Sequence, residues 1–152
     1  MISKTKYHIR WAVTSDYDEI AHLEYLVYGK EKFTKSEIIN IDKKRDNIIC
    51  AVEDGKERIV AYFIYALTKG KLSITRLVVH PDHNFKVVGD NILAKLKDKL
   101  HHDRRTKIEM EIGDDDLPMH LLLKDNGFLA IDVIREMYGD DGDMYIFEYN
   151  IP

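Results

Sequence analysis

The sequence predicts an α/β (α+β) protein, with a mixed central sheet and helices on both faces, in the order β-α-α-β-β-β-α-β-α-β-β. Three observations carry this. Apolar residues switch repeatedly between the two-residue period of strands and the 3.6-residue period of helices. The middle of the chain is a meander, turned by Asp54-Gly55-Lys56 and again by Lys69-Gly70-Lys71. Beyond it, the stretch from Arg76 to Leu100 runs from a short apolar strand (Leu77, Val78, Val79) through a His80-Pro81-Asp82 turn and a loop into a helix. Val88, Ile92, Leu93, Leu96 and Leu100 form one face of that helix.

Taken in order, His8 to Val13 alternates and reads as an opening strand with Ile9, Trp11 and Val13 on one face. Thr14-Ser15-Asp16 supplies caps for a helix carrying Ile20, Leu23 and Val27, which Gly29 ends. Thr34-Lys35-Ser36-Glu37 is a capping box for a second, shorter helix with Ile38, Ile39 and Ile41. Ile48–Glu53, Ile59–Leu67 and Leu72–Val79 are the meander strands. After the helix ending near His102, the strand Ile108-Met110-Ile112 turns its apolar side one way and Lys107, Glu109 and Glu111 the other. Leu117 to Asn126 is a helix with Gly127 as its C-cap, and Phe128–Met137 and Met144–Tyr149 are the last strands. Neither a repeat nor a linker divides the 152 residues, so one domain spanning 1–152 is expected.

Composition narrows the function classes. Hydrophobic content of 45% and charged content of 33% describe a globular chain. No apolar run approaches the roughly 20 residues of a membrane span, and Met1-Ile2-Ser3-Lys4 lacks the apolar core of a signal peptide. One cysteine, Cys50, allows no internal disulfide and reads as a small core residue, which fits a cytoplasmic protein. A net charge of −4 does not favour nucleic-acid binding. Acidic runs at Asp114-Asp116 and Asp140-Asp143 read as solvated loops or as a rim attracting a cationic amine. His80, His83, His101 and His102 lack the Cys or carboxylate pattern of a zinc site, and His80 and Asp82 read as turn formers.

The strand-to-helix stretch is where chemistry is expected. The first amides of a helix have no intrahelical partner and form an anion site. In an open sheet, ligands gather beyond the carboxyl ends of strands whose connections leave to opposite sides. Val79 and Glu111 end the two strands that flank this helix.

These residues, in this order, resemble the GNAT acetyltransferases, most closely their ribosomal-protein-alanine N-acetyltransferase (RimI-like) branch. The anchors are Val79-His80-Pro81-Asp82, Ile108-Glu109-Met110-Glu111-Ile112, Lys124-Asp125-Asn126-Gly127-Phe128, and Ile134-Arg135-Glu136-Met137-Tyr138 followed by Asp143. Glu24, Tyr28, Phe33 and Thr34 add weaker support. The resemblance implies acetyl transfer from acetyl-CoA, as co-substrate, to a primary amine. It implies that Leu77, Val78 and Val79 hold the pantetheine arm, that amides from Phe85 to Asp90 take the pyrophosphate, and that Glu111 relays the amine's proton. The family's loop glycines are mostly gone, since Asn84, Phe85, Lys86, Val87, Val88 and Gly89 stand at its places, and Asp116 replaces a cofactor-binding Asn. The family's thiolate-protonating Tyr is Leu123 here, leaving Tyr138 or water for that step. Tyr28, Phe33 and Tyr138 would wall the acceptor, a protein or peptide N-terminus, in a monomer or homodimer. The alternatives are a small-amine or lysine acetyltransferase, and a non-catalytic GNAT-like binding protein.

Overall fold

The computed structural model describes residues 6–29, 35–43, 47–135 and 142–152. Its elements are β1 (His8–Trp11), a 3-10 turn (Thr14–Asp16), α1 (Tyr17–Tyr28), α2 (Lys35–Lys43), β2 (Asn47–Glu53), β3 (Ile59–Thr68), β4 (Lys71–Val79), α3 (Phe85–His102), β5 (Lys107–Gly113), α4 (Leu117–Asp125), β6 (Leu129–Ile134) and β7 (Met144–Asn150). The strands form one seven-stranded sheet, β1-β2-β3-β4-β5-β7-β6, in which only β4 and β5 run parallel. The expected order of elements and the mixed sheet are those of the structure.

Strand alternation divides the apolar residues between two layers. Cys50, Val52, Phe63, Tyr65, Leu72, Ile74, Leu77 and Val79 pack with α3 and α4, through Val88, Ile92, Leu93, Leu96, Leu100, Leu122 and Leu123. Ile49, Tyr62, Ile64 and Val78 face the other way, against Tyr17, Ile20 and Leu23 of α1 and Ile38 of α2. Cys50 is buried in the first layer, where loss of hydration pushes its thiol up to about 11. It is a packing residue, as its strand position suggested.

Two local readings change. Trp11 and Val13, read with Ile9 as one face of an opening strand that ran to Val13, are 69% and 54% exposed. β1 is an edge strand that ends at Trp11, so only Ile9 reaches the core. The second change concerns the expected loop after the His-Pro-Asp turn. Asn84 is the N-cap of α3, its side-chain oxygen accepting the Val87 N–H at 3.1 Å, so the helix already begins at Phe85. Asn84 to Gly89 is therefore a cap and the first helical turn.

One irregularity shapes the centre of the sheet. β4 pairs with β5 only from Lys71↔Lys107 to Ile74↔Met110. On its other edge, β4 follows β3 to Val79, but with a bulge: Tyr65 faces Ile74 and Ile64 faces Arg76, leaving Thr75 extra. A bulge bends its strand and sharpens the twist. Past Thr75, β4 leaves β5 while β5 continues along β7 to Gly113↔Met144.

Candidate active site

The split between β4 and β5 opens a cavity of about 590 Å³. Leu77, Val78 and Val79 form one wall, His80, Pro81, His83 and Phe85 the end nearest α3, Asp115, Asp116, Pro118 and Met119 the α4 side, and Leu26, Val27 and Tyr28 the α1 side.

The backbone along the split has a definite polarity. His80 donates its N–H to the Val60 carbonyl of β3 at 2.8 Å. Because both polar groups of a residue in an antiparallel pair point to the same side, Val78 and Arg76 also face β3. The N–H and C=O of Leu77 and Val79 are turned to the side β5 has left. They form a short exposed strand edge that an extended amide-bearing chain can pair with. Of the three residues expected to hold a pantetheine arm, two present their amides to the gap, and Val78 contributes its place on the wall.

At one end of that edge stands the N-terminus of α3. Val87 N–H goes to Asn84 Oδ1 and Val88 N–H to the Asn84 carbonyl at 3.0 Å, while the amides of Phe85 and Lys86 are first-turn donors with no intrahelical acceptor. Val87 has ordinary helical geometry and is 44% exposed, so the absence of glycine imposes no backbone strain there. The glycine that remains, Gly89, serves packing. A Cβ at this position would lie 2.5 Å from Leu122 Cδ2, so its small size lets α3 and α4 approach. Val88 is fully buried beside it. Lys86 is drawn along α3 to Asp90 at 2.9 Å and lies 3.8 Å from Asp125, with the Asp90 bond raising its pKa. Asp90 also accepts from Asn126 Nδ2 at 2.9 Å, tying α3 to the end of α4.

Across the cavity, the side chain of Asp116 caps α4 by accepting the Met119 N–H at 3.3 Å. Tyr28 lies over the Arg76 guanidinium, 4.7 Å from ring centroid to Cζ. Burial is the main reason the Tyr28 phenol is pushed above its usual value; Glu24 and Asp116 add to this and Arg76 opposes it. Tyr28 thus stays a protonated hydroxyl on the cavity wall. Arg76 is held by Glu24, which is fully buried: Nε and Nη2 donate to its two oxygens at 2.5 Å each, and the Tyr62 hydroxyl donates to Oε1 as well. Burial works against the Arg76 charge, but the bonds to Glu24 outweigh it and raise the pKa. The Tyr62 phenol is pushed up by burial and by Glu24. This network fastens the diverging end of β4 to α1.

Glu111 is the first residue of β5 past the last β4 pair, exposed, on the face opposite Met110 and Ile112. Glu109, two residues back, is engaged by Lys71 at 3.1 Å. The geometry thus separates two carboxylates that the sequence offered as neighbours on one face. Leu123 is fully buried in the α3–α4 layer. Phe33 and Tyr138, expected on the acceptor wall, lie outside the described residues, as do Thr34, Asp140 and Asp141.

Some of the cavity wall was not read from the sequence as site. His80 was read as a turn former and His83 only as lacking a zinc pattern, Asp115 belonged to an acidic run read as a loop or an amine-attracting rim, and Leu26, Pro118 and Met119 gave no signal of their own. Arg76 was legible in hindsight, as the one charged residue between Leu72 and Val79.

No protein-family model matches this chain, and no curated protein matches it either. Solved structures do. The ribosomal-protein-S18-alanine N-acetyltransferase from Escherichia coli superposes with a TM-score of 0.82 at 17% identity, covering 96% of this chain and 94% of that one. A chimera of the spermidine N-acetyltransferase SpeG from Vibrio cholerae and hSSAT gives 0.81 at 16%, covering 95% of each chain. Salmonella typhimurium yncA, described as an acetyltransferase and solved with its cofactor acetyl-CoA, gives 0.78 at 14%, covering 96% and 94%. The chain has the GNAT acetyltransferase fold. At these identities the likeness speaks for the fold, and the GNAT resemblance read from the sequence is sustained at that level. The finer RimI-like assignment has one of these structures beside it.

Proposed function

We propose that this GNAT-fold chain is an acetyl-CoA-dependent N-acetyltransferase, and that its acceptor is the α-amine of a protein N-terminus, as in the RimI-like branch. The observation that carries the reading is the split between β4 and β5. It leaves the Leu77 and Val79 amides free along a cavity that ends at the open amides of α3. An arm with amide groups pairs with the strand edge, and a diphosphate meets the helix N-terminus, where its charge is favoured. Among the solved structures of this fold, yncA holds acetyl-CoA as its cofactor, which supports the same ligand here.

Acetyl transfer joins the amine nitrogen to the thioester carbonyl carbon and breaks the carbon–sulfur bond. The attacking amine must lose a proton and the departing thiolate must gain one. Glu111 takes the amine's proton, directly or through a water, from its position just beyond the split. With Leu123 in the core, the thiolate's proton comes from solvent or from a tyrosine hydroxyl, Tyr138 being the residue the resemblance favours. Tyr28, together with Phe33 and Tyr138, walls the acceptor. The protein acts in the cytoplasm, as one domain, as a monomer or homodimer.

A specific observation favours a second acceptor class. Asp115 and Asp116 stand on the cavity's α4 side, where they would attract a cationic small amine, and the SpeG chimera is a spermidine N-acetyltransferase structure of the same fold. Intact-mass analysis after incubation with acetyl-CoA and a mixture of peptides and polyamines separates the two. The N-terminal reading expects a 42 Da addition to a peptide with a free α-amine, blocked by prior N-terminal modification. Acetylation confined to polyamines would transfer the chain to the second class, and no acetylation of either would favour a non-catalytic binding protein.

A further inference from the structure

We propose that the imidazoles of His80 and His83 are diphosphate ligands, His80 through its Nε2–H and His83 through a proton taken up on binding, which brings positive charge to a cavity wall that carries no Lys or Arg among the described residues. The inference rests on the acetyl-CoA reading above.

The end of the cavity next to α3 has few means of holding an anion. The Phe85 and Lys86 amides are open, but the third, of Val87, is occupied by Asn84. The Lys86 ammonium is drawn away to Asp90 and Asp125. Among the described residues lining the cavity there is no Lys or Arg; those that carry charge outright are Asp115 and Asp116. Two open helix amides, with two carboxylates on the same cavity wall, offset a diphosphate's charge only in part.

His80 and His83 stand at that end, both on the cavity wall, with ring centroids 5.9 Å apart and edge to face. Their orientations are fixed. His80 Nδ1 accepts the Asp82 N–H at 3.0 Å, so in the neutral ring the hydrogen is on Nε2. His83 Nδ1 is 3.3 Å from the Tyr7 hydroxyl, whose ring meets the His83 ring edge to face at 6.1 Å. Near the pair are the Asp82 carboxylate, 4.0 Å from His80 Nδ1, and the Tyr7 hydroxyl; Asp115 and Asp116 on the α4 side and Tyr28 on α1 line the same cavity, and Lys86 of α3 rests on Asp90. A second proton on His80 would displace the Asp82 N–H from Nδ1, so the proton goes to His83, whose Nδ1 faces a hydroxyl that can accept as well as donate. A bound diphosphate favours that imidazolium, and a hydrogen bond from a charged donor is roughly twice as strong as a neutral one.

The sign follows from linkage. A ligand that prefers the protonated form binds more tightly as pH falls and takes up a proton when it binds above the range where the free imidazole is charged. Mutual repulsion of two cations this close limits the uptake to about one proton.

Calorimetric titration with dephospho-CoA tests this, because that ligand lacks the 3′-phosphate that titrates in the same interval. Two buffers of different ionisation heat give the number of protons taken up. The expected result is a Kd about tenfold lower at pH 6 than at pH 8, with proton uptake near neutrality. In His80→Gln/His83→Gln the slope should flatten and the uptake disappear, with folding checked by circular dichroism. A pH-independent Kd in the unaltered protein would overturn the inference while leaving the cofactor reading intact. So would an unchanged slope in the double variant. No binding at any pH would instead overturn the cofactor reading itself.

Discussion

Replacing Glu111 with glutamine is expected to lower kcat for amine acetylation about a hundredfold at neutral pH, with acetyl-CoA affinity unchanged. Glutamine keeps the shape of the side chain but cannot accept a proton, and general-base help is typically worth ~10²–10⁴-fold. The lower end applies because Glu111 is exposed, so water can replace part of its role. The paired control is Glu109→Gln. Glu109 bonds Lys71 and lies before the strands divide, so its loss should change kcat by less than about threefold. Steady-state rates for both variants, with calorimetric Kd values for acetyl-CoA, decide the matter. Undiminished turnover in Glu111→Gln would remove it from the mechanism.

The second large effect is on stability. Glu24→Ala should cost about 3 kcal/mol, read as a lower denaturant midpoint with an unchanged m-value. Glu24 is fully buried and accepts from Arg76 twice and from Tyr62 once, so removing it strips a desolvated guanidinium and a buried hydroxyl of their acceptor. Breaking a buried pair on one side typically costs ~3–5 kcal/mol; the Arg76 side chain keeps 20% of its exposure, which favours the lower figure. In a chain of this size the melting temperature should drop by roughly 10 °C. Glu24→Leu combined with Arg76→Met should recover most of the loss, because no charge is then left without its partner. A penalty below about 1 kcal/mol for Glu24→Ala would mean that water replaces the carboxylate easily. The fastening of β4 to α1 would then need another cause.

The order of elements was legible because local signals agreed: Asp54-Gly55 marked a hairpin, Gly29 and Gly127 stood past helix ends, and Val88 to Leu100 kept a helical stripe. Both glycines do adopt positive φ, 67° and 85°. Trp11 and Val13 are exposed although they alternate with Ile9, because alternation shows which residues share a face, while edge position, a property of the whole sheet, decides whether that face is covered. The stretch from Asn84 to Gly89 did mislead. Read against a glycine pattern it looked like a damaged loop, yet an Asn cap three residues before Val87 was a sufficient signal for a helix start. The split between β4 and β5 left no trace in residue types, since Thr75 is an ordinary strand residue and its bulge arises from pairing across a long sequence distance. The clamp of Glu24 on Arg76, 52 residues apart, was hidden for the same reason. The residues proposed to carry chemistry come from motif order, whereas the residues that shape the space around them required the fold.

The account stands or falls on whether the split and the start of α3 together hold a coenzyme A thioester. Thermal unfolding with saturating acetyl-CoA, free CoA or ATP tests this most directly. A ligand present at about 100 times its Kd adds ~2.7 kcal/mol to the folded state, a rise of several degrees for a domain of this size. The account predicts that rise with acetyl-CoA and with CoA, and a much smaller one with ATP, which has phosphates for the helix but no arm for the Leu77 and Val79 amides. No shift with either thiol cofactor, or an equal shift with ATP, would contradict it.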